Sequence, residues 1–274
     1  VWEFNNYPFP NVYFLNGITD VCKMSYAACA QGILYENLNA KSLEYMRSSW
    51  NKFDYIGVRD VATETLVCNV VPEKEVHHNC DPTVFLEMED VEIDIKELKR
   101  KLSEKGIDFT KPIVGLMANE TIGKLCREIV GDDVQIVSVY EESKDADVFL
   151  CDLTPFEWAK CFSLFQVLFT DRFHGTLLAL KNGINTLTFD IAANDYKGID
   201  KGHTKIFDLY SRLNMLEGHY YIAKTAYTDE EREEIRQNYM RFMRQDNRDD
   251  ILNALEKEAE SANAFFEYAK RSLG

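Results

Sequence analysis

Pro112-Ile113-Val114-Gly115-Leu116-Met117, Val134-Gln135-Ile136-Val137-Ser138-Val139, Val167-Leu168-Phe169 and Thr186-Leu187-Thr188-Phe189 decide the fold. Each is a short, largely apolar run of strand length, and Ala146 to Cys151 is a further one. What lies between them reads as helix. Leu125 and Ile129 keep helical spacing after the first run, and Gly131-Asp132-Asp133 turns the chain into the second. Thr154-Pro155 opens a helix before the third run, because threonine is a good N-cap and proline fits the first helical position. His174 to Lys181 is helical and is closed by Asn182-Gly183. Apolar strands alternating with helices predict a parallel sheet covered on both faces. Residues 111–190 therefore read as a Rossmann-like unit.

Working outward, Val12-Tyr13-Phe14-Leu15, Val21 to Tyr26 and Tyr55-Ile56-Gly57-Val58 read as strands of a second sheet, with Ala40 to Trp50 helical. Asp90 to Lys105 carries helical spacing at Val91, Ile95, Leu98 and Leu102 and is expected to bridge two domains. Thr228, followed three positions later by Glu231, has the signature of a capping box. A last helix is expected from Asp249 to Leu273. The fold class is thus α/β with two Rossmann-like domains, over 1–90 and 91–225. Carboxyl-terminal helices over 226–274 are expected to pack back across them.

The chain has 274 residues, 46% of them hydrophobic and 28% charged, which suits globular packing and argues against disorder. A formal charge of −15 weighs against nucleic acid, whose phosphates need a basic surface. Much of the acid lies in Glu87 to Glu104 and Asp229 to Glu260, where it reads as solvated helix face. The richest apolar run, Trp158 to Phe169, is interrupted by Lys160, Ser163 and Gln166 and falls short of the roughly 20 residues that cross a bilayer. Val1-Trp2-Glu3-Phe4 does not read as a signal peptide. Seven scattered cysteines, mostly within apolar segments, read as reduced core thiols and predict a cytoplasmic protein.

The chemistry concentrates in Asp171-Arg172-Phe173-His174-Gly175-Thr176, where a strand ends and a helix begins. Ligands of open α/β folds collect outside the carboxyl ends of the strands, and helix N-termini attract anions. Arg172 adds a planar fork of donors for carboxylate or phosphate. Gly175 is expected to let a ligand approach the backbone, and Thr176 to add a hydroxyl. His174 can hold or release a proton near neutral pH. Taken singly, each residue is better explained as a cap, a satisfied histidine or a surface cation. Together they describe a site for anion binding and proton transfer.

Thr170-Asp171-Arg172-Phe173-His174-Gly175-Thr176-Leu177-Leu178-Ala179-Leu180-Lys181-Asn182-Gly183 resembles the signature block of the polysaccharide pyruvyl transferase family. Lys23-Met24-Ser25-Tyr26-Ala27-Ala28, Phe53-Asp54-Tyr55-Ile56-Gly57-Val58-Arg59-Asp60 and Asp81-Pro82-Thr83 resemble its weaker blocks, in order. Three positions bear on the match. Gly57 is more often serine in the family, and position 172 varies between arginine and serine. The chain also opens at Val1-Trp2 as though inside a family block, so an incomplete amino-terminal domain is expected.

The resemblance implies a two-domain fold like that of GT-B glycosyltransferases. It also implies transfer of pyruvate from phosphoenolpyruvate onto paired sugar hydroxyls as a ketal. On that basis Arg172 and Arg59 hold the donor's two anionic ends, His174 is the acid/base, and Asp171 orients or balances it. Gly175, Thr176, Ser25 and Lys205 join the donor site, Lys205 because the family often has a lysine near the donor in that loop; His203 is a weaker candidate there. The acceptor is a cell-surface polysaccharide or its lipid-linked precursor, met in the cytoplasm or at the inner face of the membrane. No cofactor is implied. His77-His78-Asn79-Cys80 invites a zinc reading, but no second ligand pair sits at finger spacing. A nucleotide-sugar glycosyltransferase and a non-catalytic relative that binds a glycan or a protein are the competing readings.

Overall fold

The computed structural model describes residues 12–31, 33–192, 204–223 and 226–273. The chain forms two units, one of Val1–Pro82, Asp195–Leu209 and Lys257–Gly274, the other of Thr83–Asn194 and Tyr210–Glu256.

In the first unit, β1 (Met24–Ala28), α1 (Ala40–Trp50), β2 (Tyr55–Val58), α2 (Val61–Val70) and β3 (Val76–His78) alternate. The sheet is parallel, in the order β1-β2-β3. Asn39 and Asp60 cap the two helices by accepting from the N–H groups of Ser42 and Thr63. Phe14, Met46, Trp50, Phe53, Ile56, Leu66 and Val67 are buried together as the core.

The second unit begins with α3 (Ile95–Glu104), whose N-cap is Asp94. Then come β4 (Ile113–Met117), α4 (Glu120–Val130), β5 (Gln135–Ser138), β6 (Val148–Phe149), α5 (Pro155–Cys161), β7 (Val167–Thr170), α6 (Phe173–Lys181) and β8 (Asn185–Ala192). The chain continues through α7 (Lys205–Leu213), β9 (His219–Ala223), α8 (Asp229–Phe242), α9 (Arg248–Ala259) and α10 (Asn263–Leu273). Six parallel strands run in the order β6-β5-β4-β7-β8-β9. Every residue of β4 and β7 is buried, as strands covered on both faces require. One apolar cluster, with Ile122, Ile129, Phe169, Phe189, Ile235 and Tyr239, lies on the α4 and α8 side. Another, with Leu98, Leu102, Phe162, Phe165, Leu168 and Leu178, involves α3, α5 and α6. Both capping boxes form, Thr154 with Glu157 and Thr228 with Glu231.

Some expected elements differ. Val12–Phe14 is a 3-10 turn instead of a strand: Val12 is exposed, only Phe14 enters the core, and the chain reverses at Leu15 with φ 52°. The strand expected from Val21 starts at Met24. Asp20 has φ 60°, and the buried Lys23 donates from Nζ to the Leu15 carbonyl at 2.9 Å, which keeps this stretch in the turn. The single helix expected over 249–273 is interrupted by a 3-10 turn at Glu260–Ala262. There Ser261 accepts from the Cys80 N–H through its hydroxyl, at 2.8 Å, and from Asn79 Nδ2 through its carbonyl, at 3.3 Å. Of the seven unpaired cysteines, Cys29, Cys80, Cys126 and Cys161 are buried, whereas Cys22, Cys68 and Cys151 are exposed and are not core thiols. No helix among the described residues is long and apolar enough to cross a membrane.

Candidate functional site

In the second sheet the chain runs outward from β4 to β5 and β6, then returns to place β7 on the other side of β4. The gap between the carboxyl ends of β4 and β7 is therefore a topological switch point, where open α/β sheets bind ligands. Asp171 and Arg172 lie on the turn that leaves β7 at this point, and His174 on the first turn of the helix that follows.

Thr170 crimps the turn. Its hydroxyl donates to the Met117 carbonyl at 2.9 Å and accepts from the Arg172 N–H at 3.0 Å. Asp171 ties the two strand ends together: its Oδ2 accepts from the N–H of Asn119, the α4 N-cap, at 3.1 Å. Asp171 does not cap α6, which starts at the N-cap residue Arg172 with no side-chain cap. Burial pushes the Asp171 carboxyl above its ordinary range, although the charge of Arg172 and the Asn119 N–H pull it back down.

Arg172 is half-exposed and lies between two carboxylates, with Nε 3.0 Å from Asp171 Oδ1 and Nη2 2.8 Å from Glu141 Oε1. Its guanidinium carbon is 5.2 Å from the centroid of the Tyr140 ring. His174 is exposed on the first turn of α6, its ring set edge-on to Phe173 at 5.5 Å. The positive end of the helix, an arginine and a solvent-facing histidine thus converge at one strand edge.

Two neighbours serve packing. A Cβ at Gly175 would come within 2.6 Å of Met117 Sδ and 2.9 Å of Thr170 Oγ1, so the buried glycine lets α6 start close against β4 and β7 and is not an opening for a ligand. Thr176 has no exposed surface. Its hydroxyl donates to the Arg172 carbonyl at 3.1 Å and lies 3.1 Å from the Thr188 hydroxyl, which continues to Tyr210 at 2.6 Å. The expectation that Thr176 offers its hydroxyl to a ligand gives way to this buried chain.

Ser25 and Arg59 belong to the first unit. The Ser25 hydroxyl accepts from the Gly57 N–H at 3.0 Å and donates to the Gly57 carbonyl at 3.2 Å, so it bridges β1 and β2. A Cβ at Gly57 would overlap Asn79 Oδ1, which explains glycine there. Arg59, at the carboxyl end of β2, is ion-paired through Nη1 to the buried Asp81. Lys205 is the first residue of α7, where the Thr204 hydroxyl accepts from the Phe207 N–H at 3.0 Å. His203 lies outside the described residues. His77 and His78 are in β3, with His78 Nε2 3.1 Å from Glu258 Oε1.

Tyr140 and Glu141 were not among the residues singled out from sequence. The available signal was their place just after the run ending at Val139, at the carboxyl end of a strand beside β4.

Two parallel-sheet units, with a polar constellation at the switch point of the second, define an α/β protein resembling the GT-B-type glycosyltransferases in architecture. The family model for polysaccharide pyruvyl transferases matches residues 2–192, and the chain belongs to that family. No curated protein matches it. Among solved structures, a putative UDP-N-acetylglucosamine 2-epimerase from Listeria monocytogenes is similar, with TM-score 0.52, 10% identity, and coverage of 91% of this chain and 67% of that one. A trehalose-6-phosphate synthase, OtsA, gives TM-score 0.46 and 9% identity over 84% of this chain, which spans 62% of the synthase. A GtfA/B complex gives TM-score 0.48 and 10% identity, covering 91% of this chain and 52% of that one.

Proposed function

We propose that the protein transfers a pyruvyl group from phosphoenolpyruvate to two hydroxyls of a cell-surface polysaccharide or its precursor, forming a ketal. The observation that carries this reading is Arg172 and exposed His174 at the start of α6, on the switch point of the sheet, in a chain of this family. The donor carries a carboxylate and a phosphate, and a guanidinium fork beside a helix N-terminus suits both. His174 gives a proton to the methylene carbon, which becomes a methyl group and leaves a cationic centre at the neighbouring carbon. One hydroxyl adds there, phosphate departs, and the second hydroxyl closes the ketal. Of the two hydroxyl protons released, one restores His174 and the other leaves with phosphate. Asp171 holds Arg172 in place, and Arg59 and Lys205 of the first unit are proposed as further donor cations. Acceptor capture at the inner face of the membrane belongs to the same proposal.

Thermal melts with phosphoenolpyruvate, phosphate, uridine diphosphate and guanosine diphosphate test it. A ligand held only by the folded state adds about 2.7 kcal/mol at a hundred times its Kd, or very roughly 5–10 °C for a chain of this size. The expected result is a shift with phosphoenolpyruvate that exceeds the one with phosphate and vanishes in Arg172→Ala. A larger shift with a nucleoside diphosphate would favour a nucleotide-sugar transferase instead.

A further inference from the structure

We propose that Glu141 is a built-in competitor for the anion site on Arg172 and so sets how tightly a donor must bind. This inference rests on reading Arg172 as the donor's anion partner. Glu141 follows β5, whose carboxyl end adjoins the switch point, and its Oε1 lies 2.8 Å from Arg172 Nη2. On the other side Asp171 Oδ1 lies 3.0 Å from Nε as an ion pair without hydrogen-bond geometry, and the Tyr140 ring lies beside the guanidinium at 5.2 Å. The two carboxylates differ in how firmly they are held. The Asp171 side chain is 7% exposed and anchored by the Asn119 N–H, whereas that of Glu141 is 50% exposed. An arriving oxyanion that needs the Nη2 donor therefore displaces Glu141 and leaves Asp171 and Tyr140 to hold the arginine. With both carboxylates ionised the cluster carries one more negative than positive charge, so an anion gains Arg172 only as Glu141 withdraws. Half-exposed pairs of this kind are worth about 0.2–1 kcal/mol, which sets the competition at a factor of up to about five in affinity.

The test is the Kd of phosphoenolpyruvate and of inorganic phosphate, by calorimetry, for wild type, Glu141→Gln and Glu142→Gln. Glu142 is exposed and adjacent, so it controls for the general effect of removing a negative charge. Glu141→Gln is expected to tighten phosphoenolpyruvate about two- to fivefold and Glu142→Gln to change it little, with the difference shrinking at high salt. Equal or weaker binding in Glu141→Gln than in wild type, or an equal gain in Glu142→Gln, overturns the competition and leaves the donor reading standing. If phosphoenolpyruvate binds nowhere while phosphate binds more tightly to Glu141→Gln than to wild type and Glu142→Gln, the donor reading falls and the competition holds. If neither anion binds wild type or Glu141→Gln, both are wrong.

Discussion

Replacing Gly175 with alanine puts the packing of the α6 start to a quantitative test. The added Cβ would sit 2.6 Å from Met117 Sδ and 2.9 Å from Thr170 Oγ1. Methionine is flexible, but Met117 is buried in a filled cluster. Thr170 has less freedom, because rotating its hydroxyl away breaks the 2.9 Å bond to the Met117 carbonyl and takes the acceptor from the Arg172 N–H. Overpacking of this kind costs about 1–3 kcal/mol, and the better helix propensity of alanine returns up to about 1. The net expectation is a loss of about 1–2 kcal/mol, or about 2–8 °C in melting temperature. The same displacement should weaken anion binding at Arg172, whose backbone hangs on Thr170. Chemical unfolding of wild type, Gly175→Ala, Thr170→Ala and the double variant isolates the contact. Gly175→Ala should cost at least about 0.5 kcal/mol less when Thr170 is already alanine. Full additivity, or a Gly175→Ala protein that melts at or above wild type with anion binding intact, would refute the close-packing argument.

His174→Ala should lower turnover by roughly a hundredfold or more, the range of a lost general acid/base, while Arg172→Ala should chiefly raise the donor concentration for half-maximal rate. Steady-state kinetics separate the two, and a His174→Ala enzyme with turnover spared removes His174 from the chemistry. Asp171 supplies a pH test. Burial raises its pKa in the fold, so the folded state pays to ionise it, and that penalty is absent in strong acid and complete above the raised pKa. Asp171→Asn retains an acceptor for the Asn119 N–H and removes the penalty, so its melting temperature relative to wild type should rise from about pH 4 to pH 7. A relative melting temperature that falls over that range contradicts the assignment.

The second sheet was legible because its evidence is local. β4, β5 and β7 are short apolar runs separated by caps and turns, and Thr154 and Thr228 form capping boxes with glutamates within their own first turns. The first unit was less legible because its pieces depend on distant partners. β3 is three residues long, contains two histidines, and is defined by pairing with β2. The tightening at Glu260–Ala262 is matched by bonds to Asn79 and Cys80, some 180 residues earlier in the chain. In the candidate site the run from Asp171 to His174 was visible, because a strand end and a helix start are contiguous in sequence. Glu141 and Asn119 were not, since only strand order brings the ends of β4, β5 and β7 together. Gly175 and Thr176 matched the chemistry expected of a ligand site, but sequence alone does not show which side of a helix start faces the sheet.

The sheet of the first unit has a consequence for synthesis on the ribosome. Tyr26 and Tyr55 pack against Phe265, and Tyr55 also against Tyr268, with ring centroids 4.8–5.4 Å apart. The Cys80 N–H and the Asn79 side chain take partners from Ser261. Every residue of the second unit has been translated by Glu256, whereas β1 to β3 wait for residues 261–268 before this aromatic face is covered. A chain released before residue 261 therefore carries an uncovered early sheet beside a second unit that has all its residues. Premature stops between about 256 and 260 would release a chain whose first unit is exposed to chaperones and proteases while the second is complete.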